Sequence, residues 1–272
     1  MKKLLVSAFA LFAVSFAYSQ SNSDVSTQIG NDNEATINQS GWLNDNVLDQ
    51  FGDRNVATID QTGWWNENVA LSDGDDNSID VDQVGIWNVN TTEQFGNSNV
   101  AQTDQEGNLN TVEQLQDGDN NDTYAMQDGD LNYASQEQLG NGNYASSEQE
   151  GSFNQVIQEQ DGNNNDAIAM QDGDGNYTHQ LQDGNGNYAW HDQAGDDNYA
   201  DAHQIGNNND AIGYQYGDDN TILQYQTGNS NYADDYQSGN NNMADISQTG
   251  SSHYHFGTQI GNGNTMTVTQ SN

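Results

Sequence analysis

Seven-residue stretches in which side chains alternate in character recur along this chain, and a four-residue segment containing glycine follows each of them. In the stretch Asn33–Gln39, every second residue would lie on the same face of an extended strand. One face would hold Asn33, Ala35, Ile37 and Gln39, and the other would hold Glu34, Thr36 and Asn38. The pattern predicts a β-strand in each stretch and a turn in each glycine segment.

The unit returns every eleven residues from Asn22 to Gln270, without insertion or deletion. Glutamine fills one position throughout except at Ser72, and asparagine fills another except at His253. Glycine occupies its position in every unit. A register this strict indicates one structural unit copied along an axis, as in a solenoid or a fibre. The predicted stacking ladders include Gln28, Gln39, Gln50, Gln61, Gln83, Gln94, Asn33, Asn44, Asn55, Asn66, Gly30, Gly41 and Gly52.

Alternate units differ, and this sets the number of strands in one turn. At steps of 22 residues one corner reads Leu43, Trp65, Trp87, Leu109, Leu131 and Phe153, whereas the intervening corner is polar or small. Two strands therefore make one turn. The predicted fold is all-β, a two-sheet parallel β-solenoid of the cross-β type, whose 22-residue turn consists of two 11-residue strand-turn units. About 23 strands would run from Asn22–Gln28 to Asn264–Gln270, in a rod about 55 Å long.

The acidic residues identify the solvent-facing side of each strand. The position of Asn38 recurs as Asp49, Asp60 and Asp82, and a dry core cannot hold stacked carboxylates without partners. The face of asparagine, alanine and glutamine therefore points inward. There, stacked amides can donate to the identical residue one turn away. The glycine in each turn supplies the positive φ that a sharp reversal requires.

The first twenty residues differ in composition from the repeats. Two lysines precede an apolar run from Leu4 to Ala17, which is too short to span a membrane. This arrangement is typical of a secretory signal peptide cleaved near Ser19 or Gln20. We therefore predict a signal peptide at residues 1–20, a repeat domain at residues 21–272, and a secreted, extracellular protein without membrane insertion.

Charge and composition argue against two classes of function, nucleic-acid binding and catalysis. The chain has 41 carboxylates and 3 bases, and its formal net charge is −38. Nucleic acid is excluded as a partner, because it is bound through lysine and arginine contacts to phosphate. Cysteine and proline are both absent; proline would remove a backbone donor from a continuous sheet. No pair of carboxylates differs from the repeat in a way that predicts acid–base catalysis, so we predict that the chain is not an enzyme.

The segment Gln28–Gln39 reads Gln-x-Gly-x-x-Asn-x-Ala-x-x-x-Gln, and this motif closely resembles the curlin repeat of bacterial curli subunits. The resemblance covers residues 22 to 270. It implies a structural amyloid subunit that stacks end to end into cell-surface fibres for biofilm matrix, adhesion and aggregation. It also implies curli-type secretion and nucleation proteins as partners, beside self-association. A minor, nucleating subunit is the alternative role within the family.

Calcium binding, ice binding and metal binding by histidine are the alternatives to a fibre subunit. Turns such as Asp117–Asp119 loosely resemble those of calcium-binding β-rolls, so a calcium-associated acidic β-solenoid adhesin stays open, although the period is eleven and not nine. Ice binding would need a regular outer ladder, and the outer positions are mixed. The histidines predict no metal site and no cofactor, because His179 would face outward and His191 inward, so that no face collects them.

Repulsion between stacked carboxylates leads to one further expectation. Asp60, Asp82 and Asp104 would lie one turn apart on the outer face, and neighbouring charges repel by about 1 kcal/mol even in water. Salt, acid or loosely associated divalent cations should therefore accelerate assembly. The open edges at both ends of such a rod would favour head-to-tail growth with further copies of the same chain.

Overall fold

The computed structural model describes residues 21–272, which form only β-strands and turns. The predicted signal peptide at residues 1–20 lies outside the described residues. The strands are β1 Ser23–Ile29, β2 Glu34–Trp42, β3 Asp45–Phe51, β4 Val56–Trp64, β5 Glu67–Asp73, β6 Ser78–Ile86, β7 Val89–Phe95, β8 Val100–Asn108, β9 Thr111–Asp117, β10 Asp122–Asp130, β11 Tyr133–Leu139, β12 Tyr144–Glu150, β13 Gln155–Asn163, β14 Asp166–Asp172, β15 Tyr177–Asn185, β16 Tyr188–Ala194, β17 Tyr199–Asn207, β18 Asp210–Tyr216, β19 Thr221–Asn229, β20 Tyr232–Ser238, β21 Met243–Ser251, β22 Tyr254–Ile260 and β23 Thr265–Ser271.

Odd-numbered strands form a 12-stranded sheet and even-numbered strands form an 11-stranded sheet. Each strand pairs in parallel with the strand 22 residues later, so that Gln28 lies beside Gln50 and Gln39 beside Gln61. The chain thus passes from one sheet to the other at every corner and completes a turn in two strands. The prediction of an all-β, two-sheet parallel solenoid is confirmed.

The core is a thin layer between the two sheets. Alternate residues are buried along the strands of the central turns, as in β5 and β9, whereas the first and last strands are largely exposed. Apolar core residues are small over much of the column, such as Ala145 and Ala167, with larger residues toward both ends, such as Leu48 and Ile246. Amide side chains fill the rest of the interior.

Each strand begins one residue later than predicted, and it ends either one residue later, as in β1, or three residues later, as in β2. The repeated asparagine precedes each strand instead of opening it, and strands such as β2 and β13 extend to nine residues through the glycine corner. The asparagine side chain instead bonds the backbone of the corner. No helix among residues 21–272 has the length and apolar character needed to cross a membrane.

Candidate functional site

The side chains at the repeated glutamine position form two columns of hydrogen bonds along the solenoid axis, one in each sheet. In the 11-stranded sheet, Gln61 Nε2 donates to Gln83 Oε1 at 2.8 Å, and Gln83 Nε2 donates to Gln105 Oε1 at 2.9 Å. Gln28 and Gln39 begin the two columns by donating to Gln50 at 2.6 Å and to Gln61 at 2.8 Å. Gln94 continues the column of the 12-stranded sheet. Glutamine side chains of successive turns therefore stack on one another along the axis.

From Gln39 onward, the amide of each repeated glutamine also bonds the facing sheet. Gln61 Nε2 donates to the carbonyl oxygen of Asp45 at 3.0 Å, and Gln50 Nε2 donates to that of Glu34 at 3.3 Å. One –NH₂ group thus links two turns and two sheets. A slip by one residue would leave these buried amides without partners, at about 1–3 kcal/mol for each group.

The asparagine side chains hold the backbone at the corners. Asn55 Nδ2 donates to the carbonyl of Gly74 at 2.8 Å, and the backbone N–H of Asn55 donates to Asn33 Oδ1 at 2.9 Å. Asn44 and Asn66 make the same pair of contacts at the opposite corner. The asparagine position therefore connects each corner with the corner of the next turn, which explains its recurrence.

The repeated glycines pack directly against the glycines of the next turn. A Cβ atom at Gly30 would lie 1.6 Å from the carbonyl oxygen of Gly52, and one at Gly41 would lie 1.9 Å from that of Gly63. A Cβ at Gly52 would meet Gly74 in the same way, at 2.0 Å. Their φ values are positive, as expected, at 140°, 113° and 111°. Close approach between turns is therefore a second requirement for glycine, beside its backbone freedom.

The corner residue two positions after each glycine also has positive φ. Asx side chains tolerate this left-handed conformation, as at Asp32 with φ 57° and Asn120 with φ 59°. The residue between the glycine and this corner residue caps the neighbouring turn. Asp53 Oδ1, for example, accepts a hydrogen bond from the backbone N–H of Asn31 at 2.8 Å. Many corner carboxylates thus serve as caps for the backbone.

Over the first half of the column, one corner of each turn carries apolar residues in place of these polar ones. We use the name apolar corner for Trp42, Leu43, Trp64, Trp65, Ile86, Trp87, Leu109, Leu131 and Phe153, all of which are exposed. Trp65 and Trp87 stack with ring centroids 5.0 Å apart. Both have φ near 60°, a conformation that costs such residues about 1–2 kcal/mol. Local conformational preference therefore does not explain the apolar corner.

Acidic side chains stack on the outer face of the 11-stranded sheet. Asp60 lies in register with Asp82, and Asp82 with Asp104. Partial burial raises the pKa of both Asp80 and Asp82, and the neighbouring carboxylates raise it further by a smaller amount. A raised carboxyl pKa means that ionisation opposes the folded state, and that this destabilisation is relieved as the pH falls through the raised value.

Sequence reasoning missed one cluster of potential metal ligands. His179, Asp201 and His203 meet on the outer face of the 12-stranded sheet. The argument that no face collects the histidines is therefore wrong, although His191 does point inward. The signal was present in the 22-residue period: residues 22 apart are neighbours, and residues 24 apart are diagonal neighbours on the same face.

The hydrogen-bond columns have a direction. Every bond between stacked glutamines runs from an Nε2 donor to the Oε1 of the next turn toward the C-terminus, as in Gln248 to Gln270 at 2.7 Å. Among residues 21–272, the Oε1 atoms of Gln28 and Gln39 therefore accept no ladder bond, and Gln259 and Gln270 donate none. The two ends of the column are chemically complementary.

The repeat is also matched by a known family. The model of the curlin associated repeat matches three segments of the chain, at residues 195–223, 225–250 and 239–271. A comparison with curated proteins found no match. The glutamine, glycine and asparagine register of the matched segments continues through the preceding turns, where Ser72 is the one exception. The C-terminal turns therefore match the curlin associated repeat, which supports the resemblance to the curlin-repeat family that the sequence indicates.

Proposed function

We propose that this protein is the structural subunit of an extracellular, curli-like amyloid fibre, which polymerises end to end and contributes to biofilm matrix, cell adhesion and aggregation. The observation that carries the proposal is that both sheets are open at both ends of the solenoid. In the described chain β1 pairs only with β3 and β23 only with β21, and in the other sheet β2 pairs only with β4 and β22 only with β20. Unpaired strand edges are templates for further strands.

The direction of the glutamine columns supports head-to-tail growth. The C-terminal end offers amide donors of Gln259 and Gln270, and the N-terminal end offers the amide oxygens of Gln28 and Gln39. Contact between unlike ends would extend both glutamine columns. Contact between like ends would place amide donors against donors, or amide oxygens against oxygens. Such a heterologous interface does not close, and therefore leads to a filament.

Secretion and accessory partners are part of the same proposal. The lysine-led apolar run at residues 1–20 supports export, and the match of the C-terminal turns to the curlin associated repeat supports curli-type secretion and nucleation proteins as partners. The register is unbroken from β1 to β23, which favours the bulk subunit over a nucleator. The calcium-associated adhesin receives less support, because corner oxygens such as Asp53 Oδ1 and Asp174 Oδ1 already accept backbone N–H groups.

Assembly of the chain without its first twenty residues tests the proposal. The polypeptide 21–272 would be purified in denaturant, diluted into buffer with a chelator, and followed by amyloid-dye fluorescence, electron microscopy and fibre diffraction. We expect fibres with a strand repeat of about 4.8 Å that seed further growth. A stable monomer would contradict the proposal, and a chain that folds only with calcium would support the adhesin instead.

Proline at the C-terminal edge tests the growth mechanism. Met243 N–H in β21 donates toward β23, to the carbonyl of Asn264 at 2.8 Å. Its register partner Thr265 therefore points its N–H to the open side, and so does Thr267, because alternate residues of a parallel strand bond the same neighbour. Thr267→Pro should remove an edge donor without removing a bond within the subunit.

We expect Thr267→Pro seeds to elongate at least about tenfold more slowly than seeds of Thr267→Ala, which keeps the backbone donor. Phe256→Pro against Phe256→Ala makes the same comparison on β22, because Tyr232 N–H in β20 donates toward β22 to the carbonyl of His253. Equal elongation rates in both comparisons would argue against growth through these edges.

A further inference from the structure

Three potential metal ligands meet on the outer face of the 12-stranded sheet. His179 lies on β15, and its register partner on β17 is Asp201. His203 lies two residues further along β17, so that it points to the same face. The corresponding positions on neighbouring turns hold unrelated residues, including Ile157 and Leu181. The cluster is therefore a local departure from the repeat.

The distances between the ligand atoms suit a single ion. Asp201 Oδ1 lies 3.1 Å from His179 Nδ1 and 3.1 Å from His203 Nε2, and the two ring nitrogens are 3.3 Å apart. Ligands of tetrahedral zinc bonded at about 2.0–2.1 Å are separated by about 3.3 Å. An ion above the triangle could reach all three atoms, with its fourth position directed to solvent.

Asp201 is held in place for this role. Its side chain is only 9% exposed, and its Oδ2 accepts a hydrogen bond from the Tyr225 hydroxyl at 3.1 Å, which leaves Oδ1 toward the histidines. The side chains of His179 and His203 are 20% and 32% exposed, so the triangle is open to solvent. Outer-shell hydrogen bonds of this kind orient metal ligands in proteins.

We propose that His179, Asp201 and His203 form a binding site for a late first-row divalent cation such as Zn²⁺ or Cu²⁺. Two imidazoles and one carboxylate are the ligands that these ions prefer, whereas Ca²⁺ and Mg²⁺ prefer oxygen alone. A bound ion joins β15 to β17 and therefore links two successive turns. The fourth ligand is water or a group from outside the chain. The site is a property of one subunit and does not depend on the proposed fibre function.

Zinc titration of the polypeptide 21–272 tests the site. The titration would use a competing indicator, in excess Ca²⁺ so that the many carboxylates are occupied, and Co²⁺ absorption would report tetrahedral coordination. We expect one Zn²⁺ per chain that Ca²⁺ does not displace. Asp201→Asn and His203→Leu should each weaken its binding at least about tenfold.

The variants keep the fold because outward positions of adjacent turns already accept such side chains: Ile157 precedes His179, and Leu181 precedes His203. His253→Ala is the matched control, because His253 lies at a corner near the C-terminus and should leave zinc affinity unchanged. Unchanged affinity in the double variant His179→Ile, His203→Leu would overturn the proposal. So would wild-type binding that excess Ca²⁺ abolishes. Equal β-sheet circular dichroism of all variants would show that the fold is intact.

Discussion

At the scale of single residues, the glycine corner combines two different demands. Gly140 and Gly142 stand in the same corner with φ values of 116° and 67°. A Cβ at Gly140 would lie 2.0 Å from the carbonyl oxygen of Gly162, which is backbone and cannot move aside. A Cβ at Gly142 would lie 3.0 Å from the side-chain oxygen of Asn164, which is flexible. The first glycine is required by contact and the second only by conformation.

Alanine at these two positions should therefore have very different effects. Gly140→Ala should destabilise the fold by about 3 kcal/mol or more, because adjacent turns must separate. Gly142→Ala should cost about 1 kcal/mol, the strain of a left-handed alanine. The midpoint of denaturant-induced fibre dissociation measures both. Similar midpoints for the two variants would contradict the close approach seen between turns.

His191 is a titratable residue inside the column. Its side chain is fully buried, and neither ring nitrogen has a hydrogen-bond partner among the described residues. The next turn makes room for the ring with Gly213, where a Cβ would lie 2.8 Å from His191 Cδ2. Burial lowers the pKa of His191 to about 4, so the imidazole is neutral in the folded state at neutral pH.

Acid should therefore destabilise the fold through His191. The ordinary pKa of about 6.5 applies to the unfolded chain, which binds the proton first, so stability is lost as the pH falls from about 6.5 to about 4. The loss should approach about 3 kcal/mol. The unfolding free energy of the wild type minus that of His191→Ala should be constant above about pH 7 and fall below it. A difference that does not vary with pH would show that His191 is not buried as a neutral ring.

At the scale of elements, facing strands match in volume. Thr178 Oγ1 lies within hydrogen-bond distance of Gln171 and Gln193, so the glutamine of one sheet faces the small position 7 residues later in the other. The same offset places Ser72, the one exception in the glutamine series, opposite Ile79, whose own series is alanine except at Ile79, Thr123 and His255. Ile79 belongs to the apolar cluster around Leu48 and Ile59. Serine and isoleucine together thus replace the usual glutamine and alanine.

This pairing predicts strong coupling between the two positions. Ser72→Gln alone should overpack the core at a cost of about 1–3 kcal/mol, and Ile79→Ala alone should leave a cavity at about 2–4 kcal/mol. The double variant restores the common pair and should lie within about 1 kcal/mol of the wild type. A double-mutant cycle on the unfolding free energy measures the coupling. Additive effects would show that Ser72 and Ile79 do not share one space.

At the scale of the whole molecule, the number of strands sets the relation between successive subunits. Residues 21–272 contain 23 strands, two per turn, and β23 belongs to the 12-stranded sheet. The next position along the coil lies above β22 in the other sheet. If β1 of a second copy occupied it, no strand would be missing from either sheet. That copy would be rotated by half a turn about the axis.

Fibres of residues 21–272 should therefore show the apolar corner on alternate sides. One subunit rises by about 55 Å, so the same side should recur at about 110 Å. A gold label on Trp87→Cys, viewed by electron microscopy, measures this repeat. A chain that ends at Gly261 keeps 22 strands and should place its label on the same side in every subunit. Labels on one side for both chains would contradict seamless stacking.

Much of this architecture could be read from the sequence because like residues stack on like. The eleven-residue period, the acidic outer positions and the differing corners were sufficient to predict two parallel sheets, two strands per turn and the inward amide ladders. Neighbours 22 residues apart follow from the period alone. The curlin resemblance rested on the same positions, and the family comparison supports it. Contacts that repeat with the 22-residue period could thus be predicted from the sequence.

Contacts that depend on the distance between turns were decided only by the tertiary structure. The sequence explained glycine by its backbone freedom, whereas the carbonyl of the next turn leaves no room for a Cβ at Gly140. The diagonal approach of His203 to His179 and the partnerless burial of His191 depend likewise on side-chain directions across neighbouring strands. A period sets which turns are adjacent. The angles and separations of their side chains come from packing in three dimensions, which a one-dimensional pattern does not contain.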